Sequence, residues 1–320
     1  RAETLTGLLL GRALIGLGVS ACLMAAFKAF TLWFPAEKLP LANGVQMISG
    51  GVGALAASTP VELSLKFTDW RGVFLILSGL TVVAAICIFM VVPEKQGSRS
   101  GETLRQQLQG IRQVFTSMTF WSIAPWAVAA QAAYLSIAGL WSGPWLRDIA
   151  NYDRMTAANT LMGISIAMIA GYFAFGSLAE RLARRGIRPM TVAASGMICF
   201  MVVQGMIVLQ MVKVTLILWL LFGFFGTACI LPYAALSQNF PQQLSGRVNT
   251  GLNLLVFVAA FAAQWTIGLV IDFWPQTASG GYSAAGYSSS FGLIVILQLA
   301  GAAWYFHATA RSRASAKRSA

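Results

Sequence analysis

Charged side chains are scarce in this sequence. Only 10% of the 320 residues are Asp, Glu, Lys or Arg, whereas 57% are hydrophobic. An ordinary soluble domain carries roughly 25% charged residues, so a folded chain of this composition has too few polar groups to cover its surface. The deficit argues against a soluble globular protein and favours one whose surface is solvated by lipid.

Groups that could hold a metal ion or act as nucleophiles are also few. There is one histidine, His307, and there are four cysteines, each within an apolar run and none in a CxxC pair. Such cysteines are typical of small buried hydrophobes rather than of zinc sites or a disulfide framework. The scattered acidic residues do not assemble a hydrolytic site. We therefore expect no metal, no cofactor and no enzymatic activity.

Long apolar runs dominate the chain instead. A run of about 20 such residues crosses the hydrocarbon core of a bilayer as a helix. Nine runs reach this length, and short polar connectors separate them. The predicted spans are 8–34, 43–65, 72–92, 120–146, 156–178, 190–212, 214–238, 250–271 and 287–308. The sequence therefore predicts an all-α membrane protein.

The cations follow the predicted topology. The formal net charge is +12, but Lys and Arg lie mainly in the connectors and the C-terminal tail rather than along a nucleic-acid-binding stripe. Most of them fall on the side of the membrane that the tail shares, and loops rich in Lys and Arg stay in the cytoplasm. We expect a monomer in the inner or plasma membrane, with a cytoplasmic C terminus and no nucleic-acid partner.

An internal repeat relates the two ends of the chain. Phe34-Pro35 recurs as Phe240-Pro241, and Gly16 recurs as Gly223, at an offset of about 206 residues. Six predicted helices separate the two copies, which indicates a parallel repeat of six-helix units. The first three spans would be helices four to six of one unit, and the other six a complete second unit. Because the chain begins at Arg1, we expect about three helices to precede it.

Four segments follow from this repeat. Residues 1–92 would be the remainder of the N-terminal half, 120–308 the C-terminal half, and 309–320 a basic cytoplasmic tail. Residues 93–119 would be a cytoplasmic linker. Within the linker, apolar residues recur at helical spacing, with Arg105 and Arg112 among them: Leu104, Leu108, Ile111 and Phe115. This spacing predicts an interfacial amphipathic helix, and the alternative is a solvated linker.

One arginine lies inside an apolar run. Arg12 occurs several residues into the first span, within LGRALIGLG over residues 10–18. A charge at this depth is costly and usually faces a water-filled cavity or a partner. Its position therefore favours an anion-binding or coupling role. The alternative is an arginine whose side chain extends to the membrane surface.

Three segments resemble signatures of the major facilitator superfamily. Residues 10–18 resemble the Arg-x-x-x-Gly-x-Gly signature of its fourth helix, GSLAERLARRG at 176–186 resembles the second copy of its cytoplasmic loop motif, and DWRGVF at 69–74 resembles the start of its sixth helix. The loop motif departs from the family pattern at Glu180, where Asp is preferred, and at Ala183, where Gly is usual. The resemblance covers the whole chain as helices four to twelve of twelve, in two pseudo-symmetric halves.

The resemblance implies a secondary active transporter that moves a small solute by alternating access, coupled to protons or another ion. An organic or inorganic anion would suit Arg12. In this family the substrate lies between the two halves, so polar residues within the spans become candidates for the cavity: Arg12, Gln46, Gln131, Tyr134, Tyr233 and Asn253. Helix–helix packing is the alternative for such intramembrane polar residues.

The loop motif implies a gating role for a further set of residues: Gly176, Glu180, Arg181, Arg184 and Arg185. Plain positive-inside charge is the alternative for its arginines. Glu62 is a candidate acid for proton coupling, and an exposed i,i+4 ion pair with Lys66 is the alternative. Two further functions remain open, namely drug or metabolite efflux by proton antiport and a non-transporting sensor on the same scaffold.

Overall fold

The computed structural model describes residues 4–20, 22–33, 39–92, 103–277 and 280–319. These residues form helices joined by turns, with no strand among them, and the predicted all-α fold is confirmed. The chain divides into two compact units, Arg1–Gly101 and Glu102–Ala320. The repeated pair Phe34-Pro35 and the linker residues 93–102 lie outside the described residues.

The first unit contains five described helices, two of which begin at side-chain caps. The Thr4 hydroxyl accepts a hydrogen bond from the Gly7 N–H at 3.1 Å. The Asp69 carboxylate accepts one from the Gly72 N–H at 2.8 Å. Each cap satisfies an N–H group that has no partner within its helix. The helices are α1 (Leu5–Val19), α2 (Cys22–Trp33), α3 (Leu39–Ala56), α4 (Thr59–Ser64) and α5 (Trp70–Val91).

The structure interrupts two of the predicted spans in this unit. Span 8–34 contains α1 and α2, and α1 ends at Val19, before a turn at Ser20, whose hydroxyl donates to the Leu17 carbonyl oxygen at 2.7 Å. Span 43–65 becomes α3 and α4, and the break precedes Pro60, which has no N–H with which to continue the helical hydrogen bonds. A serine bonded to its own backbone and a proline both loosen a helix without making the run less apolar, so hydropathy does not signal either break.

The described part of the second unit contains nine α-helices. They are α6 (Leu104–Phe115), α7 (Met118–Ser136), α8 (Ser142–Asp148), α9 (Arg154–Ala183), α10 (Pro189–Val208), α11 (Thr215–Gly226), α12 (Leu231–Ser237), α13 (Gln242–Ile271) and α14 (Ala284–Ser319). A π-helical turn, Ile137–Trp141, joins α7 to α8 within one predicted span. A 3₁₀ turn, Thr227–Ile230, joins α11 to α12 within another. Helix α14 continues through the predicted tail to Ser319.

The π turn accommodates one more residue per turn than an α-helix. The Ser142 N–H donates to the Ile137 carbonyl oxygen, five residues back, and the Ser142 hydroxyl donates to the Ala138 carbonyl oxygen at 3.0 Å. The turn ends at Trp141, whose indole N–H donates to the Gln264 carbonyl oxygen of α13 at 3.2 Å. This irregular turn is therefore tied to a neighbouring helix. Such π turns occur frequently at functional sites.

Aromatic side chains fill the core of the second unit. Trp126, Trp145 and Trp219 are each at most 1% exposed. Trp145 packs edge-on against Trp219, with their ring centroids 5.4 Å apart. Rings in this arrangement add a favourable electrostatic contact to the packing of their large surfaces. They fix the positions of α8 and α11.

Glycines bring α9 and α11 into close contact. A Cβ atom added at Gly171 of α9 would lie 2.5 Å from the Phe224 carbonyl oxygen of α11. A Cβ atom added at Gly223 of α11 would lie 2.6 Å from the Ile164 carbonyl oxygen of α9. Small residues at the contacts of membrane helices permit this approach of two backbones.

Helix α6 lies within the predicted linker and packs against α13. It begins with a capping box in which Thr103 and Gln106 satisfy each other's backbone N–H groups. Gly110 and Val114 are buried, whereas Leu108 and Ile111 are exposed. The helix therefore covers part of the second unit with one face and presents apolar side chains on another.

Seven helical segments of the described residues are long and apolar enough to cross a membrane. One of them, Trp70–Val91, lies in the first unit, and the other six lie in the second. The six are Met118–Asp148, Arg154–Ala183, Pro189–Val208, Val212–Ser237, Gln243–Ile271 and Ala284–Ser312. Helix α1 is apolar but shorter.

Candidate functional site

Arg12 lies near the middle of α1 and lines a cavity of the first unit. The central carbon of its guanidinium is 5.9 Å from the centroid of the Phe74 ring on α5, a distance at which a cation is attracted to an aromatic face. The cavity has a volume of about 380 Å³, and Trp70 and Phe74 form its aromatic wall. Its remaining lining residues are Gly7, Leu8, Gly11 and Ile15. A single cation therefore stands among apolar and aromatic groups.

A second arginine of the same unit has close partners of its own. The Arg71 guanidinium lies 4.3 Å from the centroid of the Trp70 ring and 3.9 Å from the Asp69 carboxylate. By contrast, none of the described lining residues of the Arg12 cavity is acidic. Because an unneutralised cation attracts an anion more strongly than a paired one, Arg12 is the better of the two to receive an anionic group.

Gln46 and Glu62 lie elsewhere in the first unit. Gln46 is a half-buried residue of α3 whose carbonyl oxygen accepts a hydrogen bond from the Ser49 hydroxyl at 2.7 Å. Glu62 is half-buried in the first turn of α4. Neither residue lines the cavity at Arg12. Their cavity and coupling roles stay predictions.

Two predicted cavity residues of the second unit meet directly. The Tyr233 hydroxyl of α12 donates to the Asn253 side-chain oxygen of α13 at 3.2 Å. One turn away, the Ser237 hydroxyl donates to the Asn249 side-chain oxygen at 2.7 Å. All four residues are half-buried. Because residues four apart lie on one face of a helix, the two hydrogen bonds form a short polar ladder between α12 and α13.

Gln131 and Tyr134 of α7 occupy the interior of the second unit. Tyr134 is 5% exposed and stacks on Phe222, with the ring centroids 5.7 Å apart. A Cβ atom added at Gly226 would collide with the Tyr134 ring, which packs against that glycine. Gln131 is 9% exposed. In the described structure the Tyr134 ring packs against both Phe222 and Gly226. The roles of Tyr134 and Gln131 in a cavity stay predictions.

The loop motif forms the end of α9 and the turn that follows. Gly176, Glu180, Arg181, Arg184 and Arg185 are all exposed. The Arg184 guanidinium pairs with the Glu180 carboxylate at 2.6 Å within the same helix. Gly186 then adopts a positive φ of 79°, which glycine accommodates without steric cost and which ends the helix. These five residues lie close together in sequence and space, and their gating role stays a prediction.

Two polar contacts of the second unit were not anticipated. Gln204 of α10 and Gln298 of α14 exchange side-chain hydrogen bonds of 3.4 and 2.7 Å, and both residues are almost completely buried. Asp148 at the end of α8 accepts hydrogen bonds from the Tyr287 hydroxyl at 2.9 Å and the Tyr282 N–H at 3.1 Å. An amide side chain deep within each apolar run was a signal for the first contact. The second joins residues far apart in the chain, and no local pattern signals it.

The described residues contain no group of three or more His, Cys, Asp or Glu side chains that could hold a metal ion. The cations at Arg12 and in the loop motif are suited to anions instead. The two units can therefore recognise a ligand through charged, amide and hydroxyl groups.

Comparisons with known proteins agree with the helical architecture. A sequence model described as Major Facilitator Superfamily matches residues 2–264. The chain is 24% identical over 318 residues to "Monocarboxylate transporter 12-B" of Danio rerio, covering 88% of this chain and 64% of that protein. It is 27% identical over 139 residues to the "Galacturonate transporter" of Dickeya chrysanthemi, covering 38% of this chain and 40% of that protein.

A third relative is the "Hexuronate transporter" of Escherichia coli (strain K12), which is 25% identical over 134 residues, covering 37% of this chain and 31% of that protein. The chain thus spans less than two thirds of the length of each of these relatives. The family match, by contrast, extends over most of the chain and includes both the α1 and the α9 signatures. The chain belongs to the Major Facilitator Superfamily, a family of integral membrane transporters.

Proposed function

We propose that this chain acts in a secondary transporter that carries a small organic carboxylate across the membrane by alternating access. The observation that carries the proposal is the position of Arg12, an unpaired cation among the described residues, in an apolar helix beside a cavity walled by Trp70 and Phe74. A guanidinium presents paired N–H donors that match the two oxygens of a carboxylate.

The names of the relatives support the same substrate class. A monocarboxylate, galacturonate and a hexuronate are the substrates that those names give, and each is an anion with a carboxylate group. They differ in size and in the number of hydroxyl groups. The carboxylate is therefore the feature that a cation common to such sites would recognise.

The proposal includes ion coupling and a membrane orientation. An anion moved against the membrane potential needs a compensating cation, and we propose a proton, with Glu62 as the candidate acid. The arginine-rich turn after α9 supports a cytoplasmic position for that end of the second unit. We propose accordingly that the protein works as a monomer in the inner or plasma membrane, with its C terminus in the cytoplasm.

Uptake into proteoliposomes tests the proposal. Labelled galacturonate and lactate would be offered to the purified protein under an imposed pH gradient, and galactose, which lacks the carboxylate, is the matched neutral solute. We expect carboxylate uptake that Arg12→Gln reduces at least about tenfold, because a hydrogen-bonded charge contributes about 1.5–3 kcal/mol. Carboxylate uptake by Arg12→Lys, which keeps the charge but not the paired donors, should lie between that of the unchanged protein and that of Arg12→Gln.

The same assay separates substrate binding from coupling. If Glu62 is the coupling acid, Glu62→Gln should leave downhill exchange intact and abolish accumulation driven by the pH gradient. Equal uptake by the protein and by Arg12→Gln would contradict a role for Arg12. Preference for galactose over galacturonate would contradict the substrate class.

A further inference from the structure

A second cavity lies at one end of the second unit, and none of the four residues of the polar ladder between α12 and α13 lines it. It has a volume of about 460 Å³, within the range of roughly 300–1,000 Å³ that is typical of ligand pockets. Four helices form it, namely the N-terminal ends of α7 and α10, the C-terminal end of α12 and the C-terminal half of α14. Its lining residues are Thr119, Ser122, Ile123, Arg188, Pro189, Met190, Ala235, Gln238, Asn239, Tyr305, Ala308, Thr309 and Ser312.

The charge of this cavity has one sign. Among the described residues that line it, Arg188 is the only charged one. Among the described residues the Arg188 guanidinium forms no ion pair, in contrast to Arg184, which pairs with Glu180 on the same turn. The neighbouring Arg181 and Arg185 add further positive charge at this end of α9. Such a site attracts an anion.

Hydroxyl and amide side chains line the same cavity as Arg188. Ser122 and Asn239 already donate to backbone carbonyl oxygens, at 2.8 and 2.7 Å. Within the described structure the hydroxyls of Thr119, Tyr305 and Thr309 form no side-chain hydrogen bond, so they remain available to a ligand. A guanidinium can donate two parallel hydrogen bonds to a phosphate, and hydroxyls in the same cavity can donate to the phosphate oxygens as well.

Two tryptophans indicate the depth of this cavity in the membrane. The Trp304 indole N–H donates to the Trp121 carbonyl oxygen at 2.7 Å, and the Trp121 indole N–H donates to the Phe115 carbonyl oxygen at 2.7 Å. Both rings are partly exposed, at 40% and 38%. Tryptophans with one polar contact and an exposed ring are typical of the level of the lipid headgroups. The cavity shares this level, because Thr119 and Tyr305 are close neighbours of the two tryptophans in sequence.

We propose that this cavity binds a phosphate group, with Arg188 as its principal anchor. At the headgroup level, the phosphate of an anionic phospholipid can reach it from the bilayer, and basic pockets between membrane helices hold such headgroups. A soluble phosphate ester presents the same chemistry from the water. The site is separate from the proposed carboxylate cavity at Arg12, and it assigns the second unit a ligand of its own.

Ligand-induced stabilisation tests the assignment without reference to transport. The thermal unfolding midpoint of the purified protein in a neutral detergent would be measured while phosphatidylglycerol, phosphatidylcholine or glycerol 3-phosphate is titrated. We expect stabilisation by phosphatidylglycerol and little by phosphatidylcholine, whose headgroup has no net charge. Arg188→Gln should weaken the apparent affinity for phosphatidylglycerol at least about tenfold, since a charge-assisted contact is lost.

Arg311→Gln is the matched control, because it removes an exposed arginine of α14 that does not line the cavity. It should bind phosphatidylglycerol as the unchanged protein does. Stabilisation by glycerol 3-phosphate as well would identify a site open to soluble esters, and stabilisation by the lipid alone would identify a headgroup site. Should Arg188→Gln fail to fold, Thr309→Val provides a milder loss in the same cavity. Equal binding by Arg188→Gln and Arg311→Gln, or by Thr309→Val and the unchanged protein, would overturn the proposal.

Discussion

Amide side chains in a hydrocarbon phase bond to one another because no water is there to replace the partner. Gln204 and Gln298 form such a pair between α10 and α14. We expect Gln204→Leu to lower the free energy of unfolding by about 1–3 kcal/mol, because it leaves part of the buried Gln298 amide without a partner. Thermal or denaturant unfolding in detergent measures the change.

The double variant Gln204→Leu with Gln298→Leu is the informative control. Replacing both amides removes the unsatisfied group, so the double variant should be less destabilised than the sum of the two single variants. Strictly additive losses would contradict a direct pairing. The Gln298 amide also donates to the Ile294 carbonyl oxygen at 3.3 Å, a bond that Gln204→Leu keeps and Gln298→Leu removes, so we expect Gln298→Leu to be the more harmful single change.

For single residues, the sequence indicates which side chains are candidates for polar contacts better than it indicates which residues they contact. Tyr233 and Asn253 were predicted as polar residues within spans, and their mutual hydrogen bond depends on how α12 and α13 pack, which no periodicity within one helix reveals. Tyr134 carries the same signal in sequence, yet its ring is enclosed by Phe222 and Gly226. A tyrosine in an apolar run is compatible with a polar contact and with a packed ring, because its ring is apolar and only its hydroxyl is polar.

The contact of α9 with α11 is decided by two glycines. Gly171→Ala would bring a methyl group to within 2.5 Å of the Phe224 carbonyl oxygen, and backbone cannot move aside as a flexible side chain can. We therefore expect a loss of about 1–3 kcal/mol in the free energy of unfolding, as for other overpacked sites. Thermal unfolding of the purified variant measures it.

Gly205→Ala on α10 is a matched control, since an added Cβ atom there meets no atom within 4 Å. Alanine is the better helix former by roughly 0.5–1 kcal/mol, so this variant should be as stable as the unchanged protein or more so. A destabilised Gly205→Ala combined with a neutral Gly171→Ala would contradict the described contact of the two helices.

Hydropathy predicts the long helices of the second unit well and their irregular turns poorly. Span 156–178 corresponds to α9, which extends further at both ends. Span 250–271 corresponds to α13, which extends further at its N-terminal end. The π turn at Ile137–Trp141 and the 3₁₀ turn at Thr227–Ile230 each lie inside a predicted span, where hydropathy marks no interruption. The π turn is tied to α13 by the hydrogen bond of Trp141, which a one-dimensional pattern does not contain. The 3₁₀ turn directly precedes the first turn of α12, which contains Pro232.

At the scale of the whole molecule, the loop motif at the end of α9 makes the gating hypothesis testable. Glu180 and Arg184 form an exposed pair within one helix, and such pairs contribute about 0–1 kcal/mol to stability. Arg184→Gln together with Arg185→Gln should therefore leave folding nearly unchanged and, if the motif biases one state, shift the inward–outward balance by up to about fivefold. A cysteine engineered at Asn249, in a background without the four native cysteines, would report that shift through its rate of labelling.

Arg184→Lys with Arg185→Lys is the control that preserves the charge. It should label at the rate of the unchanged protein, because positive-inside charge and an ion pair to Glu180 are both retained. Identical labelling of the Gln and Lys double variants would leave the loop with topology as its only role. The substrate proposal at Arg12 is independent of that outcome.

The π turn has a consequence for the helix on which it lies. One additional residue without a break rotates everything beyond it by about 100° relative to an uninterrupted α-helix. A helical wheel drawn through both segments thus misassigns the faces of α8, including that of Asp148. The two parts of this span therefore face different neighbours: Tyr134 of α7 packs in the aromatic interior, whereas Asp148 of α8 bonds to Tyr287. Deleting one amino acid between them would rotate α8 and so change the neighbours of all its residues.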